Sequence, residues 1–225
     1  TFKYFLMNKF ITLNSSYSTT KRLYKNQKNF KKKYKIKNNK TYKIILDGGL
    51  RNKKFYKRSQ PGKPLISVIT VTYNCGNLLE RSIKSVLNLS YDNVEFIIID
   101  GGSTDNTLNI ARKYSNIISI LISEQDNGLY DAMNKGLKIA SGDWIIFMNA
   151  GDTFYDRSTL TEAVSNFSNM ENIYFGRANI ISLNNESWLY PAKFIDMSKI
   201  HKWLKNNLPN HQATFFPKSF YKFNL

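Results

Sequence analysis

Residues Phe96–Thr107 read FIIIDGGSTDNT. Four large apolar residues run straight into an acid, then two glycines, then hydroxyl and acidic side chains. An unbroken apolar run of this kind reads as a strand covered on both faces, as in a parallel sheet. A carboxylate at the end of such a strand is costly to bury without partners. The stretch therefore predicts a strand that stops at the mouth of an α/β sheet, with Asp100 facing a ligand there.

The flanking sequence extends this reading. Leu65–Tyr73 (LISVITVTY) is β-branched and apolar, hence another strand buried on both faces. After a break at Asn74–Asn77, Leu78–Leu89 places Leu79, Ile83, Val86 and Leu87 on one helical face. Val94–Ile99 is the second strand. Asp105 or Asn106 caps a helix over Thr107–Tyr114. Ile117–Ser123 is a third strand, Leu129–Ala140 a helix ended by Ser141-Gly142, and Trp144–Met148 a fourth strand. Strands alternating with helices imply a parallel sheet with right-handed crossovers. Ligands bind beyond the carboxyl ends of such strands. The polar groups there are Thr72-Tyr73-Asn74, Asp100–Asp105 (with Gly102 and Ser103), Ser123–Gly128 and Asn149–Asp152, and all four clusters are expected at one crevice. Past Asp152 the alternation loosens. Helices are expected at Ser158–Phe167 and Ser198–Asn206, and strands within Asn172–Ser182 and Gln212–Phe216, as an acceptor-side half.

Charge divides the 225 residues in two. The net charge is +17, yet residues 1–63 hold 19 Lys/Arg against the single acid Asp47, while residues 64–225 hold 14 against 15. Lys21–Lys43 lacks apolar periodicity and repels itself, so residues 1–63 are read as a basic, largely disordered region and linker. Within it, Tyr42–Leu46 has the composition of a short strand. Such charge interleaved with Tyr and Phe suits an anionic membrane surface, a nucleic acid, or solvent alone. No nucleic-acid-binding signature accompanies it, so nucleic acid is not favoured. Thr1–Leu13, interrupted by Lys3 and Lys9, does not read as a signal peptide, and no apolar run reaches the ~18 residues of a membrane span. The lone Cys75 fits a reducing compartment.

The chain contains no GxxxxGK[ST], GxGxxG, GxSxG, HExxH or CxxC. An acid-lined crevice is left. Carboxylates at strand ends can accept from ribose hydroxyls and a base N–H, and can hold a hard cation that neutralises a diphosphate. The segments ISVITVTYN, VEFIIIDGGSTDNT, SEQDNGLYDAMNKG and GDWIIFMNAGD, in this order, resemble the nucleotide-sugar half of family 2 glycosyltransferases of the GT-A fold. The bacterial O-antigen, capsule and exopolysaccharide group is the nearest in kind.

The resemblance implies a Rossmann-like, mostly parallel sheet with flanking helices over residues 64–225, truncated at the C-terminus. It implies transfer, with inversion, from a nucleotide-diphosphate-sugar, UDP-sugar favoured, to a glycan or lipid-linked acceptor in cell-surface polysaccharide or lipopolysaccharide synthesis. The expected location is cytoplasmic, peripheral on the inner face of the membrane. Thr72 and Tyr73 would hold and stack on the base, with Asn74 and Ser103 beside them. Asp100 would accept from base or ribose, and Gly101 and Gly102 would let the backbone approach the ligand. Asp105 would cap the next helix and shape the pocket. Asp126, Asp131 and Asn134 would line the diphosphate side. Asp152 would bind Mn²⁺ or Mg²⁺, near Asn149, and His211 would lie near acceptor or diphosphate. Asn149-Ala150-Gly151-Asp152 keeps one carboxylate where many members have more, which weakens the expected cation site. The catalytic base, an acid in the acceptor half, is expected beyond Leu225. Other readings stay open: Asp105 as a plain cap, Asp131 as a first-turn acid, Asp126-Asn127-Gly128 as an ordinary turn, and the fold as a non-catalytic nucleotide-sugar-binding subunit.

Overall fold

The computed structural model describes residues 4–14, 44–192, 199–204, 207 and 209–222.

 
The apolar runs all become strands of one ten-stranded sheet. At its centre lie β3 (Ile66–Thr72), β4 (Val94–Asp100), β5 (Ile120–Glu124) and β6 (Trp144–Asn149), parallel and in the order β5-β4-β3-β6. Every residue of β3, β4 and β6 is buried. The architecture is the mostly parallel sheet with flanking helices that the sequence implied.

Period-two alternation sorts the two faces. Ile66, Val68, Phe96 and Ile98 pack with Leu79 and Ile83 of α1 (Gly76–Leu87) and with Ile110 and Ala111 of α2 (Thr107–Lys113). Ile69, Val71, Ile97 and Ile99 point the other way, onto Ala132 and Met133 of α3 (Leu129–Ile139). The helix α3 lies close to the sheet: a Cβ at Gly136 would stand 2.5 Å from Ile69 Cγ2. Parallel register aligns Thr72 with Asp100 and Asp100 with Ser123, and pairs Val71 with Asn149. The polar strand ends therefore finish along one edge of the sheet.

The second half extends this core through antiparallel pairings. β10 (Thr214–Pro217) joins β6 to β8 (Ile173–Ile181), and β9 (Ser187–Tyr190) folds back on β8. Helices α4 (Thr159–Ser165), α5 (Ile200–Leu204) and α6 (Lys218–Lys222) complete it. Three boundaries differ from expectation for local reasons. α1 starts at Gly76 because Asp105 and Thr107 accept the N–H groups of Gly76 and Cys75. β5 starts at Ile120 because the Tyr114 carbonyl turns the chain by accepting from Ile117 and Ile118. β10 starts at Thr214 because His211–Ala213 forms a 3₁₀ turn capped by the Asn210 side chain.

Among the described part of residues 1–63, a region read as largely disordered, lie two strands and a turn. β1 (Tyr4–Asn14) runs parallel to β8 and antiparallel to β7 (Thr153–Phe154). β2 (Ile44–Gly48), near the short strand expected at Tyr42–Leu46, pairs antiparallel with β5. A 3₁₀ turn follows at Leu50–Lys53. The Lys-rich stretch Lys21–Lys43 lies outside the described residues, as do Ser198, Lys205 and Asn206 of the helix expected at Ser198–Asn206.

The turn is fastened by a buried acid. Glu95, near the start of β4, accepts from Arg51 Nη1 (3.1 Å), Ser67 Oγ (2.6 Å), Ser141 N–H (2.7 Å) and Ser141 Oγ (2.6 Å). Removing one partner from such a network leaves the others buried and unpaired. Glu95→Ala should destabilise the fold by about 3–5 kcal/mol in denaturant titration, and Arg51→Ala, at a partly exposed position, by distinctly less.

Candidate active site

The strand ends meet through the loops that follow them. Asp100 is fully buried, at 0% exposure. Its carboxylate accepts from the N–H groups of Gly102 (3.1 Å) and Ser103 (2.8 Å), from Ser123 Oγ (2.6 Å) and from Ser103 Oγ. The acid that seemed to face a ligand thus folds its own loop beneath the crevice. Gly102 sits at φ +83°, a left-handed conformation that glycine adopts without strain. Asn74, also at positive φ, clamps the same loop: its N–H donates to Ser103 Oγ (2.8 Å), and its Oδ1 accepts from Thr104 N–H (2.8 Å).

Asp105 accepts from Thr107 N–H (2.9 Å) and from Thr107 Oγ1, and so caps α2. Burial pushes its carboxyl up, but these bonds and the Gly76 N–H together outweigh burial and hold it below the usual range. Asp105 thus fixes the first turn of α2, whose N-cap position is Asn106. Thr72 is buried with its hydroxyl unpartnered, while Tyr73 beside it is 59% exposed. Asp126 is half-buried and accepts from Gly128 N–H (2.8 Å). Its carboxyl is raised, chiefly by desolvation.

Asp131 stands at the first turn of α3, where it accepts from Asn127 N–H (2.9 Å) and lies 3.6 Å from Lys135. Its contacts fasten the 126–128 loop. Asn134 is exposed on α3.

Past β6, the NAGD turn is buried. Asp152 is 1% exposed; its Oδ2 accepts from Asn149 N–H (3.3 Å) and from Gln212 Nε2. Ser82 of α1 braces the turn, donating to the Asp152 carbonyl (2.8 Å) and accepting from Gly151 N–H (2.9 Å). Around Asp152, both side-chain polar atoms of Asn149, Oε1 of Gln212 and Nε2 of His211 are buried without hydrogen-bond partners. Buried polar atoms are rarely left so, and their concentration here marks the place where a polar ligand would satisfy them. Burial depresses the His211 imidazole to about 4, so it is neutral near pH 7. Ser82 and Gln212 were missed in the sequence. The signal for Ser82 is a small polar residue on the apolar face of α1, and for Gln212 its place next to His211.

Among the described residues no three His, Cys, Asp or Glu side chains form a metal cage. A hard cation needs oxygen ligands, and often takes one or two carboxylates with substrate phosphates. Asp152 with the unpartnered Asn149 Oδ1 fits that pattern, as a site that the donor's diphosphate would complete.

Comparison with known proteins gives the family. Residues 67–223 match the family model described as glycosyl transferase family 2, and the chain belongs to that family. It is 29% identical over 163 residues to a PGL/p-HBAD biosynthesis glycosyltransferase of Mycobacterium bovis (strain BCG / Pasteur 1173P2), covering 70% of this chain and 61% of the relative. It is 39% identical over 93 residues to the putative teichuronic acid biosynthesis glycosyltransferase TuaG of Bacillus subtilis (strain 168), covering 40% of this chain and 37% of that one. The chain thus spans about three fifths of the length of the mycobacterial relative. Among solved structures it is similar to the mannosyltransferase PcManGT of Pyrobaculum calidifontis in complex with GDP-Man and Mn²⁺, at 26% identity and TM-score 0.45, over 51% of this chain and 35% of that one.

The buried neutral His211 sets a pH dependence. In the unfolded chain an imidazole takes a proton near 6.5, whereas the folded one does so near 4. Between these values the unfolded state binds more protons, so its contribution costs stability as pH falls from 6.5 to 4. Unfolding free energy should drop over that window by up to about 3 kcal/mol from this group. His211→Gln, measured alongside by denaturant titration, should remove that part of the slope.

Proposed function

We propose that residues 64–225 form the donor-binding part of a glycosyltransferase. It would move a sugar from a nucleotide-diphosphate-sugar, UDP-sugar favoured, to a glycan or lipid-linked acceptor in cell-surface polysaccharide synthesis. The observation that carries this reading is the set of buried, unpartnered polar atoms of Asn149, His211 and Gln212 around Asp152, at the same sheet edge as Thr72 and Tyr73. Family membership and the biosynthetic names of the relatives support it.

In this reading Tyr73 offers a face for the base, and Asp100 holds the loop beneath it. Asp152 and Asn149 would hold a divalent cation, Mn²⁺ or Mg²⁺, which supplies charge neutralisation for the diphosphate leaving group. An acceptor hydroxyl attacks the anomeric carbon, the bond to the diphosphate breaks, and a general base takes the hydroxyl proton. No acid follows Asp196 in the sequence, and the base is unassigned. Neutral His211 can accept a hydrogen bond, or donate one, toward donor or acceptor.

UDP with Mn²⁺ at ~100 Kd should stabilise the chain by roughly 2.7 kcal/mol, read as a shift in melting temperature of several degrees. Asp152→Asn should abolish the part that chelation also removes. Absence of any shift with UDP, GDP, TDP or CDP would contradict a donor site.

A cytoplasmic, membrane-peripheral location belongs to the same proposal. Leu50–Lys63 carries six Lys/Arg and no acid. Within it Phe55 and Tyr56 are 66% and 57% exposed, and Tyr56, Lys57, Arg58 and Lys63 line a hollow of about 390 Å³. This surface lies by Asp92 and Asn93, at the amino ends of the strands, so contact with an anionic leaflet would leave the crevice open. Each Lys or Arg near such a surface adds about 1 kcal/mol. Binding to phosphatidylglycerol vesicles should weaken with salt and fall sharply when Lys53, Lys54, Lys57 and Arg58 are changed to Gln. Equal retention on neutral phosphatidylcholine vesicles would exclude it.

A further inference from the structure

The turn that carries Asp152 leads straight into β7, which is only Thr153 and Phe154. Two residues do not hold a strand by themselves. Among the described residues the ladder partner of β7 is β1, with Ile11 opposite Phe154 and Thr12 opposite Thr153. The other edge of β1 runs parallel along β8, from Tyr4 beside Ile173 to Asn14 beside Ile181. β1 therefore stands between the exit of the Asn149–Asp152 turn and the second half of the sheet. Its backbone also passes beside the 3₁₀ turn His211–Ala213, whose Gln212 donates to Asp152. The helix α1 holds the same turn with two hydroxyls: Ser82 Oγ donates to the Asp152 carbonyl (2.8 Å), and Ser85 Oγ accepts from Phe154 N–H (2.8 Å). The ladder between β1 and β8 shifts register between Leu6 and Lys9 and again between Lys9 and Ile11. Such irregularities bend a strand and gather beside functional sites. Here the residues just past them are the ones that reach β7. The region matched by the family model begins at residue 67, so β1 lies outside it.

We propose that the N-terminal strand β1 is a positioning element of the site: by clamping β7 to β8 it fixes the backbone that presents the Asp152 carboxylate. The inference rests on the nucleotide-sugar reading of the crevice and adds to it a segment remote in sequence. A carboxylate offered to a cation must be held to within about 0.5 Å by the structure around it. Asp152 is the last residue before β7, so any freedom at Thr153 and Phe154 passes directly to it. The strand is suited to the place. Tyr4–Asn14 (YFLMNKFITLN) is apolar, aromatic and β-branched apart from Asn8, Lys9 and Asn14, the composition of a strand paired on both edges. Without it the edge of β8 would lie open over nine residues, and β7 would lose its ladder.

The test begins with Thr12→Cys and Thr153→Cys together, at facing positions of the antiparallel pair, where Cα atoms stand close enough for a disulfide. Oxidation of the full chain should join 12 to 153 within one chain, read by peptide mass mapping and by monomer size on a non-reducing gel. Hydrogen exchange then compares the two redox forms: the amides of Gly151, Asp152 and Phe154 should exchange about tenfold more slowly in the locked one. In Ile11→Pro a proline interrupts a strand paired on both edges, and the same amides should exchange about tenfold faster. Calorimetric titration with UDP, TDP, GDP and CDP supplies the second readout. For the nucleotide that binds most tightly, the gain in affinity given by Mn²⁺ should fall about tenfold in Ile11→Pro, while binding in EDTA stays as in the wild type. Arg51→Ala, at the amino end of β4, should lower the melting temperature and leave the Mn²⁺ gain unchanged; a merely structural β1 predicts the same of Ile11→Pro. If melting curves show Ile11→Pro unfolded, the oxidised and reduced forms of the cysteine pair carry both comparisons. No 12–153 bond, a bond only between two chains, or an Mn²⁺ gain indifferent to β1 overturns the proposal and leaves the donor site standing. The expected bond and exchange without binding of any nucleotide would uphold the clamp and overturn the donor reading.

Discussion

A carboxylate buried at the end of a central strand is the constraint from which the site follows. Asp100 cannot reach water, so its charge has to be met by protein donors. Two backbone N–H groups and two hydroxyls meet it. Meeting it forces Gly102 into positive φ, folds residues 101–103 back over the strand, and ties β5 to β4 through Ser123. Once that loop is placed, Asn74 and Asp105 find their partners in it or just beyond it, and α1 and α2 start where those partners allow.

The same strand carries a second buried acid at its other end. Glu95 gathers Arg51, Ser67 and Ser141, which joins the segment after β2 to the core. The two acids differ in what they organise. Glu95 holds the side of the sheet where the basic, aromatic surface of residues 50–63 lies, and Asp100 holds the side where the crevice opens. Both are satisfied internally, and internally satisfied charges stabilise arrangement more than they bind.

Asp152 contrasts with both. It too is buried, yet around it Asn149, Gln212 and His211 keep polar atoms without partners. A fold that satisfies Asp100 and Glu95 so fully, and leaves this neighbourhood incomplete, concentrates its unmet hydrogen bonding in one place. Local inconsistency of that kind is where function is expected to reside. Asp126, with one oxygen held and the other not, is a smaller case of the same pattern.

The four central strands, their alternation with helices, and the four polar clusters were legible in the sequence, because buried parallel strands read as unbroken apolar runs and end on recognisable polar residues. So was the role of Asp105 at the start of α2, since it acts on a near neighbour. Long-range pairings were not legible. Nothing in FIIIDGGSTDNT shows that Ser123 will close on Asp100, or that Asp126 will fill the space over Gly101. Nor does the sequence show that Gln212, sixty residues on, will meet Asp152. The tertiary structure alone decided which acids, like Asp100 and Glu95, have their oxygens met by the fold and which, like Asp126, do not. The reason is physical: whether a carboxylate is satisfied depends on donors brought to it through space, and side-chain type and local spacing do not specify those.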